Sequence, residues 1–65
     1  MMNYEAIAKV EEMLTELKKQ SMIENNLYGL GVADKQIKAI LATLEIMGLS
    51  FVYEGPDFTA RIYQK

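Results

Sequence analysis

The chain contains no histidine and no cysteine. The side chains most used for proton transfer and nucleophilic attack near neutral pH are therefore missing. The usual zinc-ligand sets and any disulfide are excluded with them. The groups that remain have ordinary explanations. Glu54 and Asp57 flank one turn and could offer oxygens to a divalent cation. Hard cations take about six or more oxygen ligands, so these two acids are expected to solubilise a turn and protect a strand edge. Tyr28, Tyr53 and Tyr63 are expected to pack as amphipathic rings, and Met13, Met22 and Met47 to fill gaps in a core. Gly29-Leu30-Gly31 has the look of a phosphate loop, but no strand precedes it and no Gly-Lys-Ser follows. It is expected to be a turn. No catalytic residue, cofactor or metal site is expected.

The chemistry that remains is that of contact, and it concentrates in Asp34–Leu49, DKQIKAILATLEIMGL. Asp34 is a candidate N-cap. Ile37, Leu41 and Leu44 recur at helical spacing, with Ile40 and Met47 on their flank, and form a core-facing side. Gly48 suits the left-handed position after the last turn, which lets Leu49 fold back onto Leu44. The opposite side carries a second stripe, Ala39, Ala42 and Ile46, bordered by Lys35, Lys38 and Thr43. A fully solvated face would hold more charge. Lys35, Lys38, Ala39, Ala42, Thr43 and Ile46 are therefore the expected partner-binding set.

The elements that must position this helix follow in order. Asn3 is a candidate N-cap with Glu5 in the first turn. Ile7, Val10, Leu14 and Leu17 form an apolar seam, with Ala6 and Met13 beside it. Glu5, Lys9, Glu12, Glu16 and Lys19 form a solvated face. Continued past residue 20, the pattern would put Ser21 in the seam and Ile23 among the charges. Ser21-Met22-Ile23-Glu24 also reads as a capping box. The expectation is a helix over 3–19, a short helix over 21–27 with Ile23, Leu27 and Leu30 as its apolar row, and a long helix over 34–47. One longer first helix to about Asn26 is the alternative. Beyond Gly48 the period becomes two. A hairpin over 50–63 is expected, turning at Gly55-Pro56-Asp57. Pairing Tyr53 with Phe58, Phe51 with Ala60 and Leu49 with Ile62 gathers the larger apolar side chains on one face.

With 65 residues, one domain is expected, and a chain of this size buries only about 60 % of its unfolded surface. An apolar content of 51 % suits a compact core plus a contact surface, with self-association as one way to add stability. The net charge is −2, against the trend for nucleic-acid binders. Residues 1–24 hold five acids and three bases, while residues 25–65 hold four of each. The second half is thus the less repulsive half for an anion. No signal peptide or apolar run of about 20 residues is visible, so a cytoplasmic protein with no membrane contact is expected.

The run GVADKQIKAILATLEIMGLSFVYEGPDFTARIYQK resembles the second half of a winged-helix domain. The resemblance implies a short helix at Ser21–Leu27, a recognition helix at Asp34–Met47, an exit at Gly48-Leu49 and a wing over 50–63. The implied fold is α+β: two or three helices followed by a C-terminal antiparallel β-hairpin. DNA readers of this family insert the recognition helix into the major groove. That would make Lys35, Gln36, Lys38 and Arg61 the DNA-binding set. Here the wing tip carries Glu54 and Asp57, and the recognition helix has no arginine. The family also includes protein-contact and dimerisation modules, and the Ala39/Ala42/Ile46 stripe fits that role better. The expectation is a regulatory interaction module that contacts a protein partner or its own copy as a homodimer, with DNA binding as the alternative.

Overall fold

Asn3 starts the first helix as an N-cap. Its side-chain oxygen accepts from the Glu5 N–H at 2.9 Å and the Ala6 N–H at 3.4 Å, two of the donors that a helix start leaves without partners. The computed structural model describes residues 3–27 and 31–65. Helix α1 spans Tyr4–Leu27 and helix α2 spans Val32–Ile46; strands β1 (Leu49–Glu54) and β2 (Thr59–Gln64) complete the order. The fold is α+β: two helices, then an antiparallel hairpin packed against them. At 1.5 Å per residue, α1 is about 36 Å long. It accounts for most of the 41 Å long dimension of the molecule.

The expected break at residue 20 does not occur, and the separate helix over 21–27 is corrected to the last turns of α1. Both features that suggested the break are real. Ser21 does lie in the apolar seam, with only 2 % of its surface exposed, and Ile23 does lie outside it, 57 % exposed. The chain tolerates this because Ser21 and Glu24 serve another helix. The Ser21 hydroxyl donates to the Asp34 carboxylate, and Glu24 accepts the Ala33 N–H of α2 at 3.1 Å. The capping motif works between helices, so α1 has no need to stop. The winged-helix likeness implies a separate short helix here, and the described residues form two helices, the lower of the two expected counts.

Helix α2 begins two residues before the expected start. Gly31, at φ 67°, stands at the N-cap position and makes no side-chain bond. Asp34 is therefore in the first turn rather than at the cap. Its charge still sits where the helix dipole favours an anion, and Glu24 provides the missing acceptor from across the interface. At the other end, Gly48 takes φ 79° and its N–H reaches the Glu45 carbonyl at 3.1 Å. Leu49 then returns to the cluster that holds Leu44, as expected. The packing expected of Leu27, Tyr28 and Leu30, and the turn expected at Gly29-Leu30, lie outside the described residues.

The hairpin keeps the expected faces in a different register. Phe51 lies opposite Ile62 and Tyr53 opposite Ala60, two residues along from the expected pairing. A shift of two preserves which side chains share a face, whereas a shift of one would reverse it. The turn accounts for the difference. The Phe58 N–H closes it onto the Gly55 carbonyl at 3.3 Å. Pro56 is at the first central position, and Phe58 takes a left-handed φ of 53°. Phe58 is thus the last loop residue and not a strand partner. The core sits where three elements meet: Leu14 of α1, Leu44 of α2, and Leu49 with Ala60 of the hairpin are buried together. Val10, Ile37, Ile40, Phe51 and Ile62 surround them, half-buried.

Candidate interaction surface

Burying Leu44 and Ala33 with the half-buried Ile37 turns the opposite side of α2 outward, because positions three and four apart share one helix face. Lys35, Gln36, Lys38, Ala39, Ala42, Thr43 and Ile46 are all exposed. Ile46 keeps 87 % of its surface in solvent, with Met47 at 65 % and Val32 at 49 %. Val32, Ala39 and Ile46 are spaced seven apart, so they form one line down the helix. Lys35 and Lys38 lie toward its start and take part in no ion pair among the described residues.

The outward face continues into α1. Gln36 and Ala39 share an open apolar groove of about 850 Å³ with Met13, Leu17 and Ile40. A second hollow of about 480 Å³ holds Thr43 and Met47 with Ile7 and Val10. Met13 and Ile40 border both. The core role expected of the methionines is corrected: Met13 is 54 % exposed, Met47 65 % and Met22 38 %. Two helices and a two-stranded sheet enclose only a narrow core around Leu14, and no described residue covers Met13 on its far side. Its place beside the apolar seam, off the seam itself, is the sequence signal for this.

Arg61 is separated from the two lysines. It sits on β2 between Ala60 and Ile62, whose side chains face the helices, so alternation sends Arg61 to the outer face of the sheet. There its guanidinium pairs with Glu54 at 3.2 Å. The four residues of the expected DNA-binding set therefore lie on two different faces. The same ion pair engages Glu54, one of the two acids at the turn.

A polar node joins the end of α1 to the start of α2, where Ser21 bonds Asp34 and Glu24 bonds the Ala33 N–H. On the β1 side, the Tyr53 hydroxyl is buried and has no hydrogen-bond partner among the described residues. Burial pushes the Tyr53 phenol above its ordinary 10.0, and the nearby Asp34 carboxylate adds to the rise. Lys18 covers this aromatic corner, with its ammonium 5.2 Å from the Tyr53 ring and 5.4 Å from the Phe58 ring. Ser21 is too deeply buried to meet a substrate, so its bond to Asp34 ties α1 to α2.

Comparison with known proteins gives no match among family models, curated proteins or solved structures. No described helix is long and apolar enough to cross a membrane.

Proposed function

We propose that this protein is a small non-catalytic interaction module that docks the outer face of α2 onto a protein partner or a second copy in the cytoplasm. The observation that carries the reading is the exposure of Ile46, 87 %, in line with Ala39 and Ala42 on a helix whose other side already fills the core. Small side chains at Ala39 and Ala42 allow close approach of another element, Ile46 offers an anchor, and Lys35 and Lys38 are placed to pair with acids at a polar rim. The test is partner capture and oligomeric state measured with Ala42→Glu and Ile46→Glu. The expected result is loss of association with an unchanged circular dichroism spectrum. Association that survives both changes would remove this face from the reading.

A second reading, a winged-helix DNA-binding regulator, draws support from the order of α2 and the hairpin and from the free charges of Lys35 and Lys38. It loses support from the position of Arg61 and its pairing with Glu54. Two phosphate contacts per chain give weak binding with a shallow salt dependence. Titration of labelled duplex DNA at low salt decides it: binding that falls with salt and with Lys35→Glu favours the regulator, and no binding at low salt rejects it.

A further inference from the structure

The two edges of the hairpin are not alike. On β2, the Ala60 N–H points away from β1 and donates to the Thr15 hydroxyl at 2.9 Å. The Ile62 N–H does the same to the Glu11 carboxylate at 2.8 Å. Helix α1 thus occupies the β2 edge with side-chain acceptors one helical turn apart. These bonds also fix the ladder pattern. Ala60 pairs with Tyr53 and Ile62 with Phe51, so both are non-hydrogen-bonded pairs of the antiparallel ladder. On β1, the N–H and C=O groups of Phe51 and Tyr53 must then point away from β2 as well. Among the described residues no donor or acceptor meets them. The outward donors of β2 at Ala60 and Ile62 are taken by α1, and those of β1 at Phe51 and Tyr53 are not.

We propose that the open β1 edge is a self-association site: β1 of a second copy adds to it antiparallel, making a continuous four-stranded sheet. Unpaired ladder groups in a row are a template for an added extended strand. The sequence of β1 favours its own copy as that strand. A closed two-fold contact requires a patch that complements itself, and LSFVYE does so about Phe51. With Phe51 opposite Phe51 of the second copy, Leu49 meets Tyr53 and Ser50 meets Val52. Glu54, the one charge on the strand, falls opposite Gly48, so no like charges face each other. Of the devices that blunt an edge, β1 has no lysine, no proline and, in its unbroken register, no bulge, and its one charge, Glu54, stands at the far end of the strand. A two-stranded ribbon is marginal alone, and doubling it supplies the further strands that a stable sheet needs. This surface is separate from the outer face of α2, and the proposal does not depend on that reading.

The test is amide hydrogen exchange of the full chain from micromolar to millimolar concentration, with sedimentation on the same samples. The expected result is a dimer in which the Phe51 and Tyr53 amides exchange at least about tenfold more slowly as it forms, because new ladder bonds protect them. The Val52 amide, already bonded within the hairpin, changes little. Val52→Lys, on the outer face beside the two-fold axis, should weaken the dimer about tenfold or more by setting lysines diagonally across the new ladder. A chain that stays monomeric at millimolar concentration overturns the proposal and leaves the edge to a foreign strand. A dimer whose Phe51 amide exchanges at one rate throughout overturns it too, and assigns association to another face. A folded Val52→Lys variant that dimerises as tightly as the parent would have the same force.

Discussion

Thr15 and Ala60, 45 positions apart in the chain, meet through a hydroxyl that works in both directions. Thr15 Oγ1 accepts the Ala60 N–H at 2.9 Å and donates to the Glu11 carbonyl at 2.8 Å. Ala60 is fully buried, so its N–H has no water to turn to if the hydroxyl is lost. Thr15→Val keeps the shape and removes the acceptor. The expected loss is about 1–3 kcal/mol of unfolding free energy, the cost of an orphaned buried donor. Thr15→Ser should retain most of the stability. Urea unfolding of both variants checks this; a Thr15→Val variant as stable as the parent would show that the bond contributes nothing.

Tyr53 presents the opposite case, a polar atom whose removal should help. Its hydroxyl is buried without a partner among the described residues, and Tyr53→Phe keeps the edge-on packing against Phe51 at 5.2 Å. The variant should be more stable than the parent by about 1 kcal/mol at neutral pH. Chemical unfolding of the two proteins side by side measures the difference, and a less stable variant would mean that the hydroxyl has a favourable role.

The same residue sets an alkaline limit. The folded state holds the phenol proton more tightly than the unfolded chain, so this contribution is complete below the ordinary value of 10.0 and fades as pH rises beyond it. The parent should lose stability above that pH faster than Tyr53→Phe does, and Asp34→Asn should reduce the difference. Thermal melts across pH 8–11 test this, and parallel pH curves for parent and Tyr53→Phe would refute it.

Glu24 should behave as a cap for a helix it does not belong to. Glu24→Ala removes the acceptor of the Ala33 N–H at the start of α2. A loss of about 0.5–2 kcal/mol is expected, as for an ordinary N-cap. Glu24→Gln keeps an acceptor and loses only the charge's share with the helix dipole. Faster amide exchange in the first turn of α2 than in its centre would locate the effect; uniform change along α2 would argue against it.

Much of the fold was legible because it rests on periodicity. The seam through Leu14, the core side of α2 at Leu44, the hairpin and the assignment of its faces all follow from spacings of three, four and two. The misreadings have separate causes. Ser21 and Glu24 have the right spacing to cap their own helix, and local sequence holds no sign that Asp34 and Ala33 will be nearer. The register moved because Phe58 looks like a strand residue and instead closes the turn in a left-handed conformation. Met13 looked like core because composition does not say how little a two-layer fold can enclose. For the candidate surface, the exposure of Ala39, Ala42 and Ile46 was readable from the helix pattern. The separation of Arg61 from Lys35 and Lys38 was not, since it depends on which face of the sheet the helices cover. Glu11 and Thr15 fell between the apolar seam and the charged stripe, and that ambiguous position is the one hint of their role at the β2 edge.

The sealing of β2 by Glu11 and Thr15 has a consequence for how far any sheet built from this domain can grow. If the β1 edge pairs as proposed, the domain is monofunctional in polymer terms. A hairpin with two reactive edges is a monomer for a fibre, since each addition exposes a fresh end. Here each copy brings one reactive edge and one stopper, so joining two copies consumes both ends and leaves nothing to propagate.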